Sequence, residues 1–300
     1  MPNRGFTYGE TLDRRQAGRT VLARLLDFSH STEAQWQERL VAGLVTLDGS
    51  ATMGDAVLRA GQVLAWARPP WEEPEAPLAF AVLHEDEHLV AVAKPSGLPT
   101  LPGADFLEHT LLHLVRRRYP EADPLHRLGR GTSGLVLFAR TAEARRELSR
   151  AWRDHDLVKV YRALVSGHPA ADAFTVDTPI GPIPHPLLGT VHGASSEGRP
   201  SRSEAVVLER RDDGTALVEV TILTGRPHQI RIHMAAAGHP LAGDPLYVAG
   251  GAFALEGRAL PGDLGYRLHS LRLEGRNPVS GLPFAFRCQA PPILRPGGLP

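Results

Sequence analysis

Three stretches of this 300-residue chain carry side chains whose types and spacing could do chemistry. The first is His126-Arg127-Leu128-Gly129-Arg130-Gly131-Thr132-Ser133, ahead of the apolar run GLVLFA at 134–139. Two arginines flank a tight glycine-containing turn. Such a turn aims guanidinium and backbone N–H groups at the mouth of a strand, a setting that receives phosphate. The second is KVYRALVSG at 159–167. On a strand, Lys159, Tyr161, Ala163 and Val165 share one face, so Lys159 and Tyr161 point together. A strand tyrosine is otherwise a packing residue with a satisfied hydroxyl. The third is TGRPHQIRIHMAAAGHPLAGDPLY at 224–247. Pro227 suits the first turn of a helix, on which His228 and Arg231, with Met234 or Ala235, share a face. His228, His233 and His239 can also be read as a metal cluster, but no zinc motif of the His-Glu-x-x-His kind accompanies them. No metal and no cofactor is expected.

Charge usage narrows the field. Lys+Arg 33 balances Asp+Glu 33, so net charge argues neither for nor against a polyanionic partner. Only two of the basic residues are lysines, Lys94 and Lys159, in a chain that otherwise uses arginine. A compact ammonium and a planar guanidinium are not interchangeable, which suggests that lysine itself is needed at these two places. Between 116 and 162, twelve basic residues face six acids. That local excess suits a phosphate backbone; a solvated arginine-rich helix face would look the same.

The elements that must position these groups follow from periodicity. Helical spacing runs from Arg15 to Phe28, and Thr32 with Gln35 reads as a capping box for a second helix through Trp36, Leu40 and Val41 that stops at Gly43. Short strands follow at 45–47 and 62–67, with a turn at Asp48-Gly49. Residues 1–70 thus form a small α/β unit. The acidic, proline-rich stretch 71–78 reads as a linker. Residues 79–291 form a second unit with strands near 80–83, 89–93, 134–139, 160–167, 204–209 and 216–223. A final hairpin runs from SLRLEG at 270–275 to PFAFRCQA. Helices are expected at Leu107–Arg118, Ala142–Asp154 and His228–Ala237. Many strands and few helices predict an α+β fold with a mixed, mostly antiparallel sheet and flanking helices and loops. Residues 178–189 are expected to be a Pro/Gly-rich loop and 292–300 an irregular tail.

Together these segments resemble the RluA family of RNA pseudouridine synthases. HRLGRGTSG resembles the family's His-Arg-Leu-Asp-Arg-x-Thr-Ser-Gly motif, with Gly129 in the place of the aspartate. KVYRALVSG resembles its Lys-x-Tyr-x-Ala-x-Val-x-Gly strand, and TGRPHQIRIH its Thr-Gly-Arg-Thr-His-Gln-Ile-Arg-x-His segment, followed by Gly-Asp-x-x-Tyr. EDEHLVAVAKPSGLPT at 85–100 is similar to the opening strand and Lys-Pro-x-Gly-Leu-Pro turn. The matches run in family order over most of 80–290. HSTEAQWQERLVAGLVTLDG loosely resembles the alpha-L RNA-binding module.

The resemblance implies cofactor-free isomerisation of a flipped uridine in structured RNA, ribosomal RNA before transfer RNA. The catalytic positions are then 129, Tyr161 against the base, and Arg231, which in the family pairs with the aspartate. RNA contacts fall to Lys94, Arg127, Arg130, Thr132, Lys159, Arg226 and His228. Glycine supplies no carboxylate, which leaves three outcomes: Asp123 or Asp244 substitutes, another mechanism operates, or the protein binds RNA or assists ribosome assembly without catalysis. A small-molecule hydrolase or metal enzyme built on the histidines is the reading from another class. The lone Cys288, the absence of a signal-like start and the lack of any long apolar run lead us to expect a cytoplasmic protein, with no membrane contact and a monomeric state.

Overall fold

The computed structural model describes residues 1–300 except 29, 186–187, 252, 255–258, 278 and 299–300. It divides into two compact units, Met1–Glu73 and Pro74–Pro300, so the boundary falls inside the stretch read as a linker.

The first unit contains β1 (Phe6–Thr11), α1 (Val21–Leu25), α2 (Glu33–Val41), β2 (Val45–Leu47), β3 (Ser50–Ala51) and β4 (Val63–Arg68), with sheet order β1-β4-β2-β3. The Thr32–Gln35 capping box forms as expected and starts α2. Helix α1 is shorter than the 15–28 periodicity suggests, because Gly18 turns left-handed (φ 84°) and residues before it coil into turns. Trp36, Leu40, Val21, Leu25 and Leu64 form the core. Strand β1 was not anticipated: its six residues are almost all exposed, and its alternation is confined to Phe6 and Tyr8. Its Tyr8 opens a file of rings. Tyr8 stacks on Trp66 (5.3 Å), Trp66 on His30 (5.5 Å) and His30 on Phe28 (5.8 Å). The Arg39 guanidinium lies 4.5 Å from the Trp66 ring and 4.6 Å from Trp36.

The second unit runs β5 (Ala81–Glu85), β6 (Leu89–Lys94), α3 (Leu111–Arg118), β7 (Asp123–Pro124), β8 (Ser133–Ala139), α4 (Ala142–Arg153), β9 (Val158–Ser166), β10 (Ala173–Val176), β11 (Ile180–His185), β12 (Gly189–Ala194), β13 (Ser203–Arg210), β14 (Thr215–Ile222), α5 (Gln229–Ala236), β15 (Leu268–Arg276) and β16 (Pro283–Arg287). The main sheet has order β10-β13-β14-β9-β15-β8-β6-β5, with β16 on β15 and β7 on β8. Among the described residues every pairing is antiparallel except β8 with β15. This is the expected α+β class.

Alternation along the strands puts the helices on opposite faces. Val90, Val92, Val136 and Phe138 pack against α3. Ala91, Leu135, Leu137 and Ala139 pack against α4. Helix α5 covers Ala163, Val165, Val218 and Val220 with Ile230 and Met234. Its Ile232 and Ala235 turn the other way, toward Ile180 and Val191. Residues Gln229–Ala235 are therefore all buried.

Two expectations are corrected. Residues 180–194, read in part as a loop, form the hairpin β11–β12, its connecting residues 186–187 lying outside those described. Pro182 and Pro184 are tolerated because period-two spacing places both missing N–H groups on one side of a two-stranded ribbon. The tail is not irregular throughout: Pro292–Leu294 forms a 3-10 turn that buries Leu294 against Leu164 and Leu217.

Candidate functional site

The turn before β8 is built to receive an aromatic ring. Gly129 is exposed, and neither it nor Gly131 has a positive φ, so the backbone does not demand glycine at either position. A Cβ at 129 would lie 2.8 Å from the Tyr266 hydroxyl oxygen, and one at 131 would lie 2.9 Å from the same ring. Both glycines are thus explained by Tyr266, which is buried. Its hydroxyl lies 3.2 Å from Thr132 Oγ1.

Strand β15 carries this turn to Tyr161. Gly134 pairs with Ser270, and Ser270 with Tyr161, in one row across β8, β15 and β9. The row closes tightly: any Cβ at Gly134 (φ 111°) would overlap the Ser270 backbone. Tyr161 packs against two core clusters, one that includes Leu128 of the turn and one that includes Ile230, Met234, Tyr266 and Leu268. Burial pushes its phenol up to about 12, with the Ser270 side chain acting in the opposite direction.

Helix α5 delivers Arg231 to the same place, with its guanidinium carbon 4.2 Å from the Tyr266 ring centre. The carboxylate it meets is Asp244. Nε donates to Oδ2 at 2.7 Å and Nη2 to Oδ1 at 2.8 Å, with both side chains almost fully buried. Nη1 donates to the Pro261 carbonyl. Asp244 also accepts from the backbone N–H groups of Leu246 and Tyr247. Asp244 is therefore both a local turn residue and the carboxylate partner that the resemblance gave to position 129. His228, in the left-handed region (φ 54°) at the head of α5, has Nδ1 2.9 Å from the Tyr247 hydroxyl. Burial pulls it down to about 4, and the nearby cations Arg231 and Arg127 add to this.

The turn and Arg231 both meet the buried Tyr266, which belongs to a cluster on which Tyr161 packs. Sequence reasoning missed Tyr266 because it lies in LGYRLH, outside every motif.

Two of the other expected RNA contacts, the lysines, lie inside the fold. Lys94 is buried and donates to the carbonyls of Leu98 (2.6 Å), Pro95 (2.9 Å) and Arg130 (3.3 Å), tying two turns together. Lys159 is also buried, with Nζ 5.8 Å from the Trp152 ring centre. Burial pulls Lys94 down to about 7 and lowers Lys159 as well, so both side chains belong to the interior of the fold. Arg130 donates to the Gly97 carbonyl and Arg226 to that of Pro200, while Arg127 is exposed. The three histidines read as a possible metal cluster are engaged separately. His233 bridges Ser203 and the Thr178 carbonyl, and His239 meets the Ser166 carbonyl.

Nor do the twelve basic residues form one stripe. Seven of them, Arg116, Arg118, Arg140, Arg145, Arg146, Arg150 and Arg162, sit in ion pairs with Asp123, Glu85, Glu147 or Glu219. An open cavity of about 440 Å³ lined by Asp123, Arg140, Arg145 and Arg146 lies at the Ala139 end of β8. Six strand residues separate it from Ser133, roughly 20 Å. Asp123 is therefore too far away to replace a carboxylate at 129.

Residues 88–236 match the family model described as RNA pseudouridylate synthase. An uncharacterised RNA pseudouridine synthase of Synechocystis is 48% identical over 82% of this chain and 85% of its own length. The dual-specificity RNA pseudouridine synthase RluA of Escherichia coli is 36% identical over 70% of this chain and 93% of its own. The human RNA pseudouridylate synthase domain containing 1 superposes with a TM-score of 0.58 at 25% identity, covering 75% of this chain and 90% of that structure. With the motif turn, the tyrosine strand and the arginine helix in one place, these likenesses make the chain a member of the RluA-type RNA pseudouridine synthases.

Proposed function

We propose that this protein converts uridine to pseudouridine within structured RNA, ribosomal RNA before transfer RNA, as a cofactor-free cytoplasmic monomer. The uridine is flipped out of its stack. Its N1–C1′ bond is broken, the base turns, ribose C1′ joins C5, and the proton that C5 gives up is balanced by one that N1 takes up. Tyr161 lies against the base, Arg231 anchors the α5 side of the pocket, and Arg127, Arg130, Arg226, Thr132 and His228 line the approach. Lys94 and Lys159 hold the frame from within. The observation that carries this reading is the convergence of the 126–134 turn, Tyr161 and Arg231 around one residue, Tyr266. The first unit supports an RNA role through its file of stacked rings beside Arg39, since bases stack on aromatic faces and guanidinium planes. Mass spectrometry of cellular RNA with and without the gene tests the proposal. A pseudouridine present only with the gene is the expected result, and identical maps would refute it.

One observation favours a second reading, an RNA-binding or ribosome-assembly protein without isomerase activity. Position 129 lacks a carboxylate, while Asp244 is neutralised by Arg231 and Asp123 stands at the far end of β8. Salt-dependent RNA binding together with identical pseudouridine maps would select it.

A further inference from the structure

The glycine at position 129 and the tyrosine at position 266 fit one another. Gly129 is exposed and its backbone would accept any L residue, yet a Cβ there would collide with the Tyr266 hydroxyl oxygen. The phenol is not free to swing aside. Its ring rests on Gly131, its other side meets the Arg231 guanidinium, and its hydroxyl meets Thr132. Behind it, Gly265 and Gly243 abut backbone to backbone, locking the segment that carries Tyr266 to the one that carries Asp244. The cation that would otherwise need a carboxylate at 129 therefore has one at 244, and the vacated place holds a hydroxyl directly beneath an exposed, side-chain-free residue.

We propose that the Tyr266 hydroxyl occupies the station of the family's aspartate and is the group this chain presents to the ribose of the flipped uridine. The proposal rests on the isomerase reading and deepens it. A phenol both donates and accepts hydrogen bonds, so it can hold a ribose hydroxyl in register while Tyr161 meets the base. It brings no negative charge to the sugar. Its place in the reaction is to position the ribose during bond exchange, and the Gly-x-Gly spacing of 129 and 131 is the cradle that admits it.

The test uses the full-length protein acting on total RNA from cells that lack the gene, with pseudouridine counted by mass spectrometry and RNA affinity measured by filter binding. Tyr266→Phe keeps the ring and removes the hydroxyl. The inference expects kcat to fall at least tenfold while Kd stays within twofold and the melting temperature is unchanged. A merely structural tyrosine would leave kcat where it was, and that result overturns the inference while the isomerase reading stands. A wild-type protein that binds RNA but forms no pseudouridine overturns both. Gly129→Asp alone is expected to add no activity, because the phenol holds the space. Gly129→Asp with Tyr266→Ala is expected to exceed the single variant at least tenfold, because the carboxylate then has room. Equal activity of the single and double variants would show that Tyr266 does not hold that place.

Discussion

At the scale of single residues, the strongest electrostatic commitment is the buried pair of Arg231 and Asp244. Two charges taken out of water are stable only while each has its partner, and removing one leaves the other uncompensated. Asp244→Asn is therefore expected to destabilise the protein by about 3 kcal/mol or more, read as a lower urea midpoint at constant m. A change within about 0.5 kcal/mol would mean that the pair is not what holds α5 to the 244–247 turn. The motifs made the turn, Tyr161 and Arg231 legible from sequence, because each motif names residue types at fixed spacing. They did not disclose which carboxylate Arg231 takes, since Asp244 reads equally well as a local turn residue and does that work too. Tyr266 was illegible because nothing local marks it; only the folded chain shows that two glycines 135 residues or more earlier are shaped around its ring. The scarcity of lysine pointed at Lys94, whose ammonium lies inside the fold on three carbonyls, a position that the sequence alone did not disclose.

At the scale of elements, the site depends on a parallel contact only two residue pairs long, between β8 and β15. Gly134 permits it, with φ at 111° and the Ser270 backbone filling the space a side chain would need. Gly134→Ala is expected to cost about 3 kcal/mol or more, from backbone strain and displacement of β15. Thermal melting against wild type checks this, and an unchanged midpoint would contradict the geometry. In the first unit, Tyr8 is the exposed end of the ring file. Tyr8→Ala is expected to weaken RNA binding by about 1–3 kcal/mol, the worth of one base-stacking contact, without altering the circular dichroism spectrum. Parity in filter binding would remove this face from the RNA. Elements with a strong local code were read correctly: α2 through its capping box, β6 and β8 through unbroken apolar runs, and β15–β16 through the paired runs SLRLEG and PFAFRCQA. Elements whose code conflicts with their fate were missed. Strand β1 alternates only Phe6 and Tyr8 and is otherwise exposed, and β11 is disguised by prolines that its edge position makes harmless.

At the scale of the whole molecule, burial of neutral histidines sets an acid limit. Burial pulls His126 down to about 3 and His228 to about 4, and lowers His233 and His269 as well. A folded-state value below the unfolded one means that the unfolded chain binds more protons. The stabilisation is therefore complete above about pH 6.5 and is lost as pH falls from there toward 4. His126 and His228 should each contribute on the order of 2 kcal/mol to that loss, read by urea unfolding at pH 7, 5.5 and 4.5. A flat profile would show that these rings ionise freely in the folded state. The parallel seam between β8 and β15 has one more consequence, which concerns order in time. Ser133 and His269, joined across that seam by a side-chain contact, stand 136 residues apart. A polypeptide emerging from the ribosome exposes the arginine turn and Tyr161 long before the strand that unites them exists. Until β15 at Leu268–Arg276 has been made, the motif turn and Tyr161 are present without the strand that unites them, so the site can assemble only after that strand has joined β8.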